Sequence, residues 1–123
     1  MADHLKLGRQ GEQLARSYFL KQYYEILEEN WTQGKAEVDL IVYQDGVMVF
    51  VEVKTRTGTA FGQPEDFVDA AKQNQMQLAA EAYIQLMSHQ GEVRFDIISI
   101  LINGSAEPQL KHIPDAFWPG QDE

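Results

Sequence analysis

The feature that most constrains the fold of this chain is a stretch of two valine-rich runs, AEVDLIVYQDGVMVFVEVKTR. The runs are separated by Asp45-Gly46, which is typical of a tight β-hairpin turn because both residues accept positive φ angles. Both faces of the two runs are largely apolar, as expected of a central hairpin that is covered on each side. Yet each run carries one carboxylate, Asp39 in the first and Glu52 in the second.

The turn determines which residues of the hairpin face each other. A two-residue turn at Asp45-Gly46 brings Asp39 opposite Glu52 further along the strands. Directly opposed residues share a face of the sheet with their Cβ atoms roughly 5 Å apart. Strand alternation places Lys54 on that same face. We therefore expect the two acids and the lysine to meet.

Two carboxylates that face each other in an apolar hairpin repel by an order of a few kcal/mol at an effective dielectric constant near 20. Three arrangements would compensate for this repulsion: a proton shared between the acids, the ammonium group of Lys54, or a bound divalent cation. Mg²⁺ or Mn²⁺ fits the available ligands, because both ions prefer hard oxygen donors and commonly use one or two carboxylates. The sequence alone leaves a salt-bridged cluster without an ion as the alternative.

A divalent ion in this hairpin predicts phosphodiester hydrolysis. Asp39 and Glu52 would supply carboxylate oxygens, and the carbonyl group of Val53 would supply a third oxygen. Such an ion polarises a phosphodiester and lowers the pKa of a bound water. Lys54 is then placed to orient that water or to stabilise developing negative charge.

The remaining chain predicts one α/β domain over residues 1–118, with a frayed tail at 119–123. The predicted element order is helix, three strands, helix, two strands. The first helix is expected to begin after an N-cap at Asp3, and the second at Pro64, which suits the first helical position. The predicted helices cover 3–22 and 64–87, and the strands outside the hairpin cover 23–31, 92–102 and 109–113. The predicted buried stripes comprise Leu7, Gly11, Leu14, Ala15 and Tyr18 on the first helix and Val68, Ala71, Ala79, Ala82 and Leu86 on the second.

Composition narrows the possible functions. The chain has no cysteine, which excludes disulfides and thiolate metal sites and fits a reducing cytoplasm. No apolar run approaches the length of a membrane span, and the start of the chain lacks a signal-peptide pattern. Nineteen acidic residues against 10 basic ones give a net charge of −9, which argues against tight nonspecific binding to DNA.

Several motifs follow one another across almost the whole chain, from Gly8 to about Phe117: GRQGEQLARSYFL, AEVDLI, VFVEVKTR, FGQPEDFVDAAKQNQ and VRFDIISI. An acid on one strand with Glu-x-Lys on the next resembles the catalytic signature of the PD-(D/E)XK nuclease superfamily. Together the motifs resemble the uncharacterised bacterial YraN-type family, which is related by fold to archaeal Holliday junction resolvases. The resemblance implies a restriction-endonuclease-like mixed β-sheet with an αβββαβ core, flanked by helices.

The resemblance also assigns roles to residues outside the hairpin. It implies that Glu12 of the first helix is an additional acid at the metal, although a helix glutamate is more often simply solvated. It matches Lys72 of the second helix to a basic position that points toward the same site. The alternative for Lys72 is that its stem covers apolar surface while its ammonium group reaches water. The residues expected to contact nucleic-acid phosphates are Lys35, Arg56, Arg9 and Lys72.

The favoured function is a Mg²⁺- or Mn²⁺-dependent endonuclease that cuts branched or structured DNA in the cytoplasm. Cleavage of a four-way junction needs two active sites, so a homodimer is expected. One alternative is a nuclease-fold module that binds protein or nucleic acid with little turnover, which the net acidity favours. Another is hydrolysis of a smaller phosphodiester, for which no extended basic surface is required.

Overall fold

The computed structural model describes residues 2–58, 68–104 and 106–119, with side chains from residue 5 onward. The order of its elements is the predicted one: helix, three strands, helix, two strands. The elements are α1 (Ala2–Lys21), β1 (Glu25–Gln33), β2 (Ala36–Gln44), β3 (Val47–Thr57), α2 (Ala70–Met87), β4 (Glu92–Ile102) and β5 (Gln109–Ile113).

The predicted hairpin is confirmed. Its turn residues Asp45 and Gly46 have φ angles of 52° and 83°, which only a tight primed turn requires of both central residues. The pairs formed by β2 and β3 run from the turn to Leu40 opposite Val51, in the predicted register.

The five strands form one mixed sheet in the order β1-β2-β3-β4-β5. Neighbouring strands are antiparallel except β3 and β4, which are parallel and are connected through α2, as parallel neighbours require a crossover. The sheet is buried on both faces: α2 covers a cluster that includes Phe50 and Ile97, and α1 covers one that includes Val51 and Ile98. Over the described residues, no helix combines the length and apolar character needed to cross a membrane.

Helix α1 lies close to the sheet at Gly11. A Cβ atom at this position would come within 1.7 Å of the Thr55 hydroxyl oxygen, so only glycine permits the observed approach. The N-cap prediction for Asp3 is wrong, because the helix begins at Ala2 and Asp3 lies inside it. The predicted stripe also omitted Phe19, whose side chain is fully buried.

Helix α2 is shorter at its start than predicted. It begins at Ala70, and the side chain of Asp69 caps it by accepting a hydrogen bond from the Lys72 backbone N–H. The predicted start at Pro64 lies outside the described residues. Leu86 was expected in the core but is 67% exposed, because the helix turns a different stripe toward the sheet. That stripe consists of Met76, Ala79, Ala80 and Tyr83.

Strand β1 begins at Glu25 rather than at Tyr23. Tyr23 has a φ angle of 69°, which places it in the left-handed region and therefore in the turn that follows α1. Its side chain is almost fully exposed. Strands β4 and β5 have the predicted bounds, while most of the predicted tail, 120–123, lies outside the described residues.

Candidate functional site

The site begins where the pairing between β2 and β3 ends. The last backbone pair is Leu40 with Val51, one position before Asp39 and Glu52. Beyond that pair, the backbone N–H of Val53 donates a hydrogen bond of 2.8 Å to Oδ2 of Asp39. A side chain of β2 thus takes the place of a backbone acceptor. Because the N–H and C=O of one strand residue point to the same edge, the carbonyl group of Val53 also faces β2.

In strand β1, the regular alternation of side chains between the two faces of the sheet is interrupted near the point where β2 and β3 stop pairing. Glu29 faces α1, where Arg16 donates to its carboxylate at 2.9 Å. Trp31, two residues further on, faces α2 and packs on the ring of Tyr83 at 5.1 Å between centroids. Strict alternation would place both side chains on one face. The residue between them, Asn30, has a φ angle of 53°, and this left-handed conformation accounts for the change of face.

The change of face continues into β2. Glu29 pairs with Leu40, and Trp31 pairs with Val38, so Leu40 and Val38 also lie on opposite faces. Asp39 is the residue between them. Its side chain is therefore not confined to one face, and it reaches along the sheet toward β3, where Val53 holds it.

Glu52 is the most buried charged group of the site, with 5% of its surface exposed. Its carboxyl group contacts that of Asp39, so the predicted meeting of the two acids is confirmed in the structure. Among the described residues, no group donates a hydrogen bond to Glu52 Oε1, although this atom is buried. A buried carboxylate oxygen without a hydrogen bond is unfavourable unless a charge compensates for it.

The pKa values of both acids are raised. Burial, followed by the charge of Asp39, raises the pKa of Glu52 to about 7, against the opposing effect of Lys72 and Lys54. Burial also raises the pKa of Asp39, although the hydrogen bond from Val53 opposes this shift. When only protein atoms surround it, the site therefore stabilises the charged form of each acid less well than water does.

Two lysines approach Glu52 from different elements. Lys54 Nζ lies 3.7 Å from Oε2, and Lys72 Nζ lies 3.5 Å from Oε1. Lys72 Nζ also donates to the backbone carbonyl oxygen of Glu37 at 3.4 Å. The side chain of Lys54 is 38% exposed and that of Lys72 is 26% exposed, so both ammonium groups retain access to solvent. The expectation that Lys72 points toward the acids is confirmed.

Glu12 approaches the same acids from α1. Burial, followed by the charge of Asp39, raises the pKa of Glu12, whereas a hydrogen bond with the Asn30 side chain lowers it. Sequence reasoning missed Asn30 and also Glu37. An asparagine inside a predicted strand is a usable signal for Asn30, because asparagine tolerates the left-handed region better than most residues. Glu37 contributes a backbone oxygen to the site, which no sequence pattern reveals, and its negative charge raises the pKa of Glu12 and of Asp39.

The remaining residues predicted to contact phosphates lie at the protein surface. Arg9 is exposed on α1, and Lys35 is exposed in the turn between β1 and β2. Arg56 is exposed on β3, two residues beyond Lys54. Among the residues that the structure describes, no group of three or more histidine, aspartate and glutamate side chains is arranged to hold a metal ion. The two-carboxylate arrangement of Asp39 and Glu52, with a backbone oxygen, is smaller than such a group.

A second polar cluster lies on the α1 face and is structural in character. Asp96 is fully buried and forms two hydrogen bonds of 2.8 Å with the guanidinium of Arg94. It also accepts from His112 at 2.7 Å and from the backbone N–H of Asp115 at 2.9 Å. Burial alone would raise the pKa of Asp96, but these hydrogen bonds lower it below its ordinary value. Arg94 and Asp96 are two residues apart on β4, so strand alternation places both side chains on one face.

An apolar hollow of about 450 Å³ lies at the hairpin-turn end of β2 and β3. Leu27, Tyr43, Met48 and Met87 line it together with Gly46 of the turn. The acids lie beyond the last backbone pair of β2 and β3, away from the turn, so the hollow and the candidate site are separate features. The candidate site at Asp39 and Glu52, rather than this hollow, is where the ionisable groups suited to catalysis lie.

The structure thus defines an α/β protein with a five-stranded mixed sheet, two flanking helices and a buried acid pair next to two lysines. The Uncharacterised protein family UPF0102 matches residues 11–100, and the chain belongs to this family. A UPF0102 protein of Rhodococcus opacus is 42% identical over 118 residues, covering 95% of this chain and 100% of that protein. One of Flavobacterium johnsoniae is 42% identical over 122 residues, covering 96% and 98%. One of Christiangramia forsetii is 43% identical over 118 residues, covering 96% and 98%.

Proposed function

We propose that this protein is a Mg²⁺- or Mn²⁺-dependent endonuclease that hydrolyses phosphodiester bonds in branched or structured DNA. One observation carries the proposal: the buried Oε1 atom of Glu52 accepts no hydrogen bond from the described residues and lies beside a second carboxyl group. A protein that only needed a stable hairpin would gain by replacing this pair with apolar residues. A binding site for a divalent cation explains why the acids are there.

The residues present fit such an ion. Asp39 and Glu52 supply hard carboxylate oxygens, and the Val53 carbonyl faces the same opening between the strands. Two carboxylates with water in the remaining positions are a common protein ligand set for Mg²⁺. Glu12, whose pKa is raised in part by the charge of Asp39, would be an additional acid near the ion on the α1 side. When bound, the ion would polarise a phosphodiester and activate a water.

Lys54 supplies the positive charge that hydrolysis needs at the substrate. Its ammonium nitrogen lies 3.7 Å from Glu52 Oε2, and its side chain is 38% exposed. The ammonium group can therefore contact both the acid pair and an incoming phosphate. It would orient the attacking water or stabilise the negative charge that develops on the phosphoryl oxygens. Asp39 accepts from the Val53 N–H, and this hydrogen bond fixes the position of one carboxylate before any ligand binds.

The preference for branched DNA rests on the resemblance of the motifs to the YraN-type family, which is related by fold to archaeal Holliday junction resolvases. Lys35, Arg56 and Arg9 are exposed and would contact phosphates. Cleavage of a four-way junction needs two sites, so we propose that the active form is a homodimer. The net charge of −9 disfavours binding to long duplexes, so a ligand of defined shape is the more suitable substrate.

The first test measures metal binding by calorimetric titration of Mn²⁺. Asp39→Asn keeps the shape of the side chain but removes its charge, so Mn²⁺ affinity should fall at least about tenfold. Asp45→Asn is the matched control, because it makes the same change in the hairpin turn, where asparagine also accepts a positive φ angle. Equal affinities for the parent protein and Asp39→Asn would refute the metal site.

The second test separates catalysis from metal binding. Lys54→Ala should retain Mn²⁺ affinity yet lose cleavage of a four-way DNA junction by a factor of about a hundred or more, as expected when a charge that stabilises the transition state is removed. Lys21→Ala, on the exposed end of α1, is the control and should cleave normally. Parallel assays on linear, flapped and four-way DNA identify the preferred substrate. Undiminished cleavage by Lys54→Ala would show the assigned role to be wrong.

A second candidate function is a nuclease-fold module that binds nucleic acid or protein with little turnover. The acidity of the chain favours it, as does the small number of acidic side chains gathered at the site in the described part of the chain. Under this alternative, binding of DNA or of a protein survives Asp39→Asn, and no substrate in the panel is cut. Metal-dependent cleavage by the parent protein would exclude it.

A further inference from the structure

Lys72 reaches the acid pair from a fixed point on α2. The helix begins two residues before it, and Asp69 anchors the first turn by accepting from the Lys72 backbone N–H at 2.9 Å. The side chain then lies on the same stripe of the helix as the fully buried Met76. A lysine on a core-facing stripe needs a partner for its charge, and the partners here are oxygen atoms of the sheet.

These oxygen atoms hold the ammonium group loosely. Lys72 Nζ lies 3.5 Å from Glu52 Oε1 and 3.4 Å from the Glu37 carbonyl oxygen, while charge-assisted hydrogen bonds are normally about 2.7–2.9 Å long. Its charge also acts on Asp39. Glu52 Oε1 consequently has a cation nearby but no hydrogen bond from the described residues. Lys72 therefore supplies a positive charge near Glu52 Oε1 without donating a hydrogen bond to it, so this oxygen can still bind a ligand.

The oxygens near Lys72 overlap with the proposed ligands of the divalent ion. Glu52 is both a contact of Lys72 and a proposed ligand of the ion. Asp39 is also a proposed ligand, and the charge of Lys72 lowers its pKa. An ammonium group and a dication repel each other at such short range, so they compete for the same carboxylate oxygen, Glu52 Oε1. The side chain of Lys72 is 26% exposed, which leaves the ammonium group a route to solvent. Lys54 differs, because its nearest carboxylate atom is the other oxygen, Oε2.

We propose that Lys72 is an exchangeable counter-ion of the acid pair. In the metal-free protein its ammonium group offsets the charge of Glu52, and a divalent ion that binds there displaces it toward solvent. Lys72 thereby competes with the metal, so a higher metal concentration is needed to fill the site. When no metal is bound, its positive charge reduces the repulsion between the two carboxylates. This inference rests on the proposed metal site.

The experiment compares Mn²⁺ affinity in variants that remove the charge of Lys72. Lys72→Met keeps the apolar stem and Lys72→Gln keeps a polar end, so at least one should fold. Either variant should bind Mn²⁺ at least about threefold more tightly than the parent protein and should melt at a lower temperature in the presence of a chelator. Lys21→Met on exposed α1 is the matched control and should change neither quantity.

Lysine labelling provides a direct readout in the unaltered protein. The acetylation rate of Lys72, measured by mass spectrometry relative to that of Lys21, should rise when saturating Mg²⁺ displaces the ammonium group into solvent. An unchanged or slower rate would overturn the exchange. So would equal or weaker Mn²⁺ binding by folded Lys72→Met and Lys72→Gln.

The two proposals can fail separately. If the parent protein binds Mn²⁺ in a manner that depends on Asp39 but the Lys72 variants show no gain, the exchange is wrong and the metal site stands. If the folded parent protein and the Lys72 variants all fail to bind Mn²⁺, the proposed function is wrong and the exchange fails with it.

Discussion

At the scale of single residues, Glu52 shows how the surroundings of one carboxyl group set its behaviour. Its side chain is almost completely buried, contacts Asp39 and lies near two ammonium groups. The lysines do not fully offset the burial and the like charge, so the pKa remains raised at about 7. With this pKa, Glu52 exchanges between its neutral and charged forms near pH 7, and a bound cation favours the charged form.

This raised pKa predicts a pH dependence of stability in the metal-free protein. Between about pH 4.5 and 7 the folded protein keeps the Glu52 proton, whereas the unfolded chain loses it. The contribution is therefore fully present below pH 4.5 and is lost as the pH rises through about 7. The free energy of unfolding should fall across this range by an order of 1–3 kcal/mol more than in Glu52→Gln. Urea unfolding of the parent protein and of Glu52→Gln, with a chelator at several pH values, measures this difference. Parallel curves of unfolding free energy against pH would contradict the prediction.

At the scale of elements, the site depends on how closely α1 lies against β3. Gly11 faces Thr55 without a Cβ atom between the helix and the strand. The next residue, Glu12, is the one that approaches the acids. Moving the helix outward by the thickness of a methyl group would therefore withdraw Glu12 from Asp39 as well as loosen the packing.

Gly11→Ala should destabilise the protein by about 1–3 kcal/mol, because its Cβ atom would overlap the Thr55 side chain. Gly8→Ala is the matched control on the same helix, since a Cβ atom there meets nothing within 4 Å. It should stabilise the protein by up to about 1 kcal/mol through helix propensity alone. Urea unfolding of both variants gives the comparison. A similar change in stability for the two would show that the close approach is not limiting.

The sequence predicts the elements well and the site only in part, for reasons that individual residues explain. Asp45-Gly46 determines the hairpin register through local backbone preference, and that register holds as far as Leu40. The prediction then assumed that alternation continues through Asp39. It does not continue, because Asn30 of the neighbouring strand adopts a left-handed conformation and the change of face crosses into β2. A feature that depends on two paired strands cannot be read from the periodicity of one of them.

The buried stripe predicted for the second helix is right at Val68 and Ala79 but wrong at Leu86, for a similar reason. Ala82 and Leu86 fit a helical apolar stripe. The larger side chain of Tyr83 packs toward the sheet instead, where its ring contacts that of Trp31. Helix rotation is decided by which side chains fill the space between α2 and the sheet, so Leu86 remains exposed. Periodicity predicted the helix correctly without determining its orientation.

At the scale of the whole molecule, the Asp96 cluster joins parts of the chain that are distant in sequence. Asp96 of β4 binds Arg94 on its own strand, His112 of β5 and the backbone of Asp115. His112 in turn forms a hydrogen bond of 2.9 Å with Tyr18 of α1. The first helix, the last strand and the segment that follows it are therefore fastened to one buried carboxylate.

Asp96→Asn should lower the free energy of unfolding by an order of 3–5 kcal/mol, because it leaves the Arg94 guanidinium without a charged partner. Glu92→Gln makes the equivalent change at an exposed position of the same strand and should stay within about 0.5 kcal/mol of the parent protein. Chemical unfolding followed by fluorescence measures both. A loss for Asp96→Asn no larger than that of the control would mean that the cluster does not hold these elements together.

The irregular course of β1 has a consequence for how copies of this protein behave in a crowded solution. An outer strand with a regular backbone offers a template on which another chain can extend the sheet. Here the shift between Ile26 and Glu28 and the left-handed Asn30 interrupt that template twice, and neighbouring glutamates repel an approaching copy. The same distortion that directs an acid toward its partner strand therefore also discourages fibre-like stacking of one molecule on the next.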